Sequence, residues 1–152
     1  MAEWCQANKW PINFHVSEGL NVKYPNFTPT PFDIYLDIAK AFPNLKIILS
    51  HWGGGIPFFE LNPRLKPLLK NVYYDTAASP LLYDITVFRN VINLVGSEKI
   101  IFGSDYPLRV YPKKQTTPDM QTYIDDIQSN AGLSKKECNQ FFNQNINNLL
   151  NL

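Results

Sequence analysis

Two histidines and two cysteines are all that this 152-residue chain carries of the side chains most often found on metals and in disulfides. Cys5 and Cys138 lie near opposite ends with no Cys-x-x-Cys pair, which excludes a disulfide framework and a zinc knuckle and leaves two reduced, buried thiols. An excess of one charge is also missing. The 14 basic and 13 acidic residues leave a formal net charge of +1 without a long single-sign block, so nothing draws a nucleic acid or an anionic membrane surface. No apolar run approaches the roughly 18 residues of a transmembrane helix. The first residues lack the charged, apolar and small-residue regions of a signal peptide, and a cytoplasmic setting is expected. The partner that remains is a small molecule. With 45% hydrophobic residues and no linker or low-complexity tract, one domain over residues 1–152 is expected.

What is present is an alternation of strands and helices. After a short helix from Ala2 to Lys9, Pro11-Ile12-Asn13-Phe14-His15 reads as a strand, followed by a polar loop rich in Gly, Asn and Pro. Thr30 as N-cap, Pro31 at the first helical position and Asp33 in the first turn open a helix over Phe32 to Phe42, stopped by Pro43-Asn44. Leu45 to Ser50 is short and branched, as a buried strand should be, and Gly53, Gly54 and Gly55 then free the backbone for a tight turn. A helix from Ile56 to Leu69 is broken by Pro63 and Pro67. Asn71 to Asp75 is the third strand. Ile85, Phe88, Ile92 and Val95 mark a helix closed by Gly96, and Lys99 to Gly103 is the fourth strand. The strands recur every 25 to 35 residues or so, the period of stacked βα units with crossover helices. After Pro118 come two helices, one carrying Met120, Tyr123, Ile124 and Ile127 and ended by Gly132. The other opens on a Ser134/Glu137 capping box and carries Phe141, Phe142, Ile146, Leu149 and Leu150.

Both histidines fall at C-terminal strand ends, His15 after the first strand and His51 after the second, and Asp105 follows the fourth. In parallel α/β proteins chemistry collects at those ends. Imidazole and carboxylate together bind Zn²⁺ or a similar divalent ion, and a catalytic zinc takes three protein ligands and leaves a place for water. Each residue also has a structural use: a histidine hydrogen-bonded into a strand-end loop, an aspartate capping the turn before Tyr106-Pro107.

Taken together, Pro11 to His15, Phe42-Pro43-Asn44-Leu45-Lys46-Ile47-Ile48-Leu49-Ser50-His51-Trp52-Gly53-Gly54, Val72 to Thr76 and Lys99-Ile100-Ile101-Phe102-Gly103-Ser104-Asp105-Tyr106-Pro107 resemble the second half of the amidohydrolase-superfamily (β/α)₈ barrels. The branch is the one that includes aminocarboxymuconate-semialdehyde decarboxylase and the resorcylate-type decarboxylases. The tail from Asn145 to Leu152 resembles that family's closing helix. The resemblance covers nearly the whole chain in the correct order. It implies an α/β fold, a partial TIM barrel of four parallel βα units equivalent to strands five to eight, closed by two C-terminal helices. It implies a divalent metal, zinc first with manganese or iron as alternatives, held by His15 and Asp105. His51 is then the imidazole that activates or orients water or substrate, and Asp105 also shuttles a proton. Trp52 and Tyr106 adjoin those positions and are candidates for the substrate pocket, with aromatic packing as the alternative use. Glu18 reaches the mouth of the site or is a solvated loop carboxylate.

One departure is as informative as the match. Full members open with a His-x-His pair on the first strand, absent from these 152 residues, and such a barrel needs about 250 residues. A half-barrel is therefore expected: a truncated product, one part of a split enzyme, or a stretch of a longer protein. Its two edge strands and apolar face favour pairing, either as a two-fold dimer that builds one barrel or with an N-terminal half. Three functions follow: a metal-dependent hydrolase or decarboxylase acting on a small carboxylated or cyclic substrate, an inactive fragment or assembly subunit, or an open α/β ligand-binding domain without metal.

Overall fold

A computed structural model describes residues 1–16, 28 and 30–152. The polar loop after the first strand, with Glu18, lies outside the described residues. The elements in chain order are α1 (Ala2–Ala7), β1 (Ile12–Phe14), α2 (Phe32–Ala41), β2 (Ile47–Leu49), a 3-10 segment (His51–Leu61), β3 (Val72–Asp75), α3 (Ser79–Leu82), α4 (Val87–Val95), a 3-10 turn (Ser97–Lys99), β4 (Ile100–Ile101), α5 (Met120–Asn130), α6 (Lys135–Asn139), a π-helical stretch (Gln140–Gln144) and α7 (Asn145–Leu150).

The four strands form one parallel sheet in the order β1-β2-β3-β4. Ile12 pairs with Ile47, Ile47 with Val72, and Tyr74 with Ile100. Parallel neighbours in sequential order require crossovers over one face, and α2, the 3-10 segment and α4 supply them. Period-two alternation divides the strand residues between two cores. Ile47, Leu49, Val72, Tyr74 and Ile100 join Tyr35, Ala39, Phe88, Ile92, Tyr123 and Phe141 in the main core. Ile48 and Ile101 point the other way and meet Leu149, with Tyr73 and Ile146 at the margin. Leu49 is fully buried; a side chain of that size contributes about 1.5–3 kcal/mol by leaving water.

The tail therefore covers the second face of the sheet, and polar contacts lock it there. Lys46 Nζ donates to the carbonyls of Leu149 at 2.6 Å and Asn148 at 3.4 Å and to Asn151 Oδ1 at 3.3 Å. A cation on the last carbonyls of a helix offsets their partial negative charge. Asn145 Nδ2 donates to Ser97 O and Ile100 O, each at 2.7 Å.

Several local expectations change. Pro31, not Thr30, is the N-cap of α2, and no side-chain hydrogen bond caps that helix. The sequence between Ile56 and Leu69 is not a broken α-helix: the 3-10 segment runs from His51 to Leu61, and turns follow to Asn71, because Pro57, Pro63 and Pro67 each remove an amide donor. Ile85 precedes α4, which begins after Thr86 and ends at Gly96 as expected. The final helix carries a π-helical stretch in its middle, which re-aims Phe141 and Phe142 toward Phe102. The Ser134/Glu137 capping box is present. Asp119, which the sequence reading passed over, caps α5 by accepting from the Gln121 and Thr122 amides. Cys5 is buried, whereas Cys138 is half-buried. No helix among the described residues is long and apolar enough to cross a membrane.

Candidate active site

The C-terminal ends of β1, β2 and β3 meet in one hydrogen-bonded group. β2 ends at Leu49, and the chain then turns left-handed for five residues: His51, Trp52, Gly53 and Gly54 all have φ near 57–58° and Gly55 has φ 100°. Two of these five are not glycine, and each such residue carries about 1–2 kcal/mol of steric cost. The glycines are required for space as well as for φ, since a Cβ on Gly53 would lie 2.9 Å from the Tyr74 ring and one on Gly54 2.9 Å from Val16. The turn is held by what its two non-glycine residues reach. Trp52 is 1% exposed, packs edge-on against Phe88 with ring centroids 5.0 Å apart, and donates its indole N–H to Ser79 Oγ.

His51 is fixed at both its backbone and its ring. Its amide donates to Asp75 Oδ1 at 2.9 Å, and its Nδ1 lies 2.9 Å from the Ala77 carbonyl. A carbonyl only accepts, so Nδ1 carries the proton and neutral His51 is left with a lone pair on Nε2. That Nε2 lies 3.2 Å from Nδ1 of His15, and the two rings stand edge to face. The His15 main chain is held in turn by Tyr35, whose hydroxyl donates to His15 O at 2.9 Å.

A separation of 3.2 Å suits two arrangements. One is a proton shared between the rings. The other is a cation bound by both, because nitrogens about 2.0–2.1 Å from a tetrahedral zinc lie about 3.3 Å apart. Neutral imidazole and carboxylate oxygen are the donor types that divalent zinc, manganese and iron accept, so these residues fit such an ion. Among the described residues, however, no group of three or more His, Cys, Asp or Glu side chains converges to hold one. Asp105 follows β4 as expected and is exposed, with φ 60°. Its turn is closed by its own carbonyl, which accepts from the Leu108 amide at 2.9 Å, and by Ser104 Oγ, which accepts from the Tyr106 amide at 3.1 Å. The carboxylate takes no part in that turn; Asp105 caps it through its backbone, the structural use considered for it, and its side chain is left to solvent. Tyr106 is 63% exposed beside it. Of the two aromatic candidates, Tyr106 faces solvent and Trp52 belongs to the core.

At the centre of this group stands a residue outside the candidates taken from the sequence. Asp75, 7% exposed, accepts from Ser50 Oγ at 2.7 Å, from the His51 amide and from the Ala77 amide at 3.0 Å. Ser50 Oγ also lies 3.0 Å from the Asn13 side-chain amide. A hydroxyl has one proton; with Asp75 taking it, Asn13 presents its NH₂ to Ser50. The signal was available: Asp75 closes an apolar strand at the same end as His15 and His51. Gly103 completes the packing on the β4 side, where a Cβ would meet Ala77 N and Asp75 Cγ at 3.2 Å. Thr76 Oγ1 bonds there to the Gly103 amide and carbonyl, both at 3.1 Å.

Known proteins share this architecture. The Amidohydrolase family profile matches residues 1–152. A curated relative, 2-amino-3-carboxymuconate-6-semialdehyde decarboxylase of Dictyostelium discoideum, is 29% identical over 87 residues, covering 49% of this chain and 24% of its own. Among solved structures, dihydroxybenzoic acid decarboxylase from Polaromonas sp. JS666, with bound manganese and the inhibitor 2-nitroresorcinol, superposes with TM-score 0.68 at 18% identity over 99% of this chain and 52% of its own. The 5-carboxyvanillate decarboxylase from Sphingomonas paucimobilis gives TM-score 0.67 at 15% identity, with the same coverage of 99% and 52%. The chain thus spans about half the length of these structures, its match to the curated relative takes in a quarter of that protein, and its four-stranded parallel sheet is a partial TIM barrel. With its whole length matched by the family profile, the chain belongs to the amidohydrolase family.

Proposed function

We propose that this chain supplies strands five to eight of a metal-dependent enzyme that acts on a small carboxylated or cyclic substrate, with decarboxylation favoured over hydrolysis. The observation that carries the reading is the His15–His51 pair, two imidazoles in contact at 3.2 Å at the strand ends, one of them with its tautomer fixed by a carbonyl. Decarboxylation is favoured because the curated relative and both solved structures are named as decarboxylases.

His15 and Asp105 would hold the divalent ion, with zinc, manganese or iron acceptable to those donors and manganese present in the Polaromonas relative. Such an ion, when bound, polarises a substrate oxygen and stabilises the negative charge that develops on it. His51 handles the proton. Its bare Nε2 can take one up and return it to the reacting carbon or to water, while Nδ1–H stays on the Ala77 carbonyl. Asp105, exposed at the rim, is the second proton carrier, and Tyr106 offers an aromatic wall to the substrate. Trp52 contributes by anchoring the turn that carries His51.

Residues 1–152 act as one unit in this reading, because a single main core runs from Cys5 to Phe141. The open edges of β1 and β4 are covered in the active assembly, by a second copy of the chain or by an N-terminal half. Two free thiols suit a cytoplasmic setting.

A second reading, an assembly subunit without a metal centre of its own, is favoured by one observation: His15 meets His51, but among the described residues no third His, Cys, Asp or Glu side chain joins them to hold an ion. Calorimetric titration of Zn²⁺ and of Mn²⁺ into the metal-stripped chain separates the two. Binding lost in both His15→Ala and Asp105→Ala supports a metal centre in the chain itself. Binding lost in His15→Ala alone supports a half-site awaiting its partner. Binding indifferent to both substitutions overturns the metal-site reading.

A further inference from the structure

Three hydrogen bonds around the β2 and β3 ends form a closed ring. Asp75 Oδ1 accepts the His51 amide at 2.9 Å and the Ala77 amide at 3.0 Å, and the carbonyl of that same Ala77 takes the Nδ1 proton of His51 at 2.9 Å. One carboxylate oxygen therefore holds both the backbone that carries the imidazole and the backbone that fixes its tautomer. The other oxygen, Oδ2, is occupied by Ser50 Oγ at 2.7 Å, which prevents the carboxylate from rotating away. Asp75 and Ser50 are both buried, so water does not compete for these bonds.

We propose that Asp75 is the positioning residue of this site, holding His51 in the tautomer with Nδ1 protonated and Nε2 bare and aimed at His15. Without this carboxylate, the residue-51 backbone loses its tie to β3, in a stretch of five left-handed residues that resists the conformation. Ala77 loses the bond that orients its peptide. The carbonyl then no longer meets Nδ1, and the ring populates both neutral tautomers. The Asp75 carboxylate hydrogen-bonds to neither imidazole; it acts through the backbones of residues 51 and 77.

Substitutions at Asp75 separate hydrogen bonding from charge. In Asp75→Asn the amide Oδ1 accepts the same two backbone N–H groups, its NH₂ donates to Ser50 Oγ, and the Ser50 proton turns to Asn13, whose side-chain amide flips to present Oδ1. The ring of bonds survives and the tautomer should be retained. In Asp75→Ala all three acceptor contacts disappear.

The proposal rests on the reading of His51 as the proton-handling imidazole, but its test uses neither metal nor turnover. With two histidines in the chain, a ¹⁵N spectrum of the imidazoles holds four ring-nitrogen signals, and His15→Gln assigns them. At a pH about two units above the ordinary imidazole value, the metal-free protein should show His51 with one protonated nitrogen, Nδ1, and one bare nitrogen, Nε2. Asp75→Asn should keep that pair of shifts. Asp75→Ala should draw them toward each other as the tautomers mix. A purely structural role would lower the melting temperature of Asp75→Ala and leave the tautomer alone. Protonation of His51 on Nε2 in the unsubstituted protein would overturn the proposal. So would an unchanged single tautomer in folded Asp75→Ala. Should Asp75→Ala fail to fold, the unsubstituted protein and Asp75→Asn still decide. Both must show protonated Nδ1, with slow hydrogen exchange at the His51 and Ala77 amides, and loss of either signature in Asp75→Asn refutes the hydrogen-bonding account.

Discussion

Replacing Glu60 by glutamine should cost this protein about 3 kcal/mol, although the two side chains are nearly the same size. Glu60 is buried and forms an ion pair with Lys99, itself buried, whose Nζ also donates to Leu69 O at 2.9 Å. Tyr74 donates its hydroxyl to Glu60 Oε1 at 2.7 Å, and the Lys99 ammonium lies 5.6 Å from the centre of the Tyr74 ring. The cluster ties the start of β4 to β3 and the 3-10 segment, one residue before Asp75. Burial pushes the Lys99 ammonium below its usual value, and Glu60 opposes that shift through its hydrogen bond and its charge. Glu60→Gln keeps an oxygen for Tyr74 and Lys99 but removes the charge. An ammonium left uncompensated in the interior costs about 3–5 kcal/mol, here at the lower end because the Leu69 carbonyl remains. For a chain of this length that is a fall of about 6–12 °C in melting temperature. The assay is thermal unfolding at pH 7, repeated toward pH 10. Because the folded-state value of Lys99 lies below its unfolded one, the unfolded chain holds the proton in the window between them, and stability contributed by this group rises with pH there. The deficit of Glu60→Gln should therefore shrink as pH rises. A triple variant, Glu60→Leu with Lys99→Met and Tyr74→Phe, leaves no orphaned polar group and should return to within about 1 kcal/mol of the unsubstituted protein. A loss under about 1 kcal/mol in Glu60→Gln, independent of pH, would refute the argument that this pair is desolvated.

Gly53→Ala should destabilise by about 2–4 kcal/mol in urea titration, combining the left-handed φ of 58° with a Cβ at 2.9 Å from the Tyr74 ring; a neutral result would mean that the turn is not left-handed. Arg89 and the Ser134 cap hold the Glu137 carboxyl down at about 2, so the stability it provides is complete above the ordinary carboxylate range and lost as pH falls from about 4.5 toward 2. Because the Arg89 partner is partly exposed, that loss is about 1 kcal/mol, and acid titration of Glu137→Gln should lack it. Lys46→Met should free the α7 carbonyls, cost about 1–2 kcal/mol and speed amide exchange from Asn147 to Leu150, while exchange in β3 stays slow.

The parts of the fold that could be read in sequence are those set by local chemistry. Apolar runs that are short and branched became β2 and β3, Gly96 closed α4, and Ser134 with Glu137 opened α6, because periodicity and capping depend on neighbours a few residues away. Expectations that needed more than neighbours changed. Trp52, adjacent in sequence to a candidate catalytic histidine, lies in the core, because the left-handed turn swings its side chain toward Phe88 and Ser79. Asp75 read as the end of a strand, and nothing in Val72-Tyr73-Tyr74-Asp75 reveals that its carboxylate collects donors from residues 50, 51 and 77.

The sequence by itself determined the alternation of strands and helices, the family, and the placement of His15, His51 and Asp105 after strands, since a strand end is a one-dimensional feature. Only the tertiary structure decided which of these meet. His15 and His51 are 36 residues apart in sequence, and their rings touch because the parallel register sets Phe14 beside Leu49, so that both chains leave the sheet at the same level. Which nitrogen of His51 carries the proton was decided by the Ala77 carbonyl, brought there by β3 and held by Asp75. A tautomer is a property of the hydrogen-bond partner, and that partner is supplied by the fold.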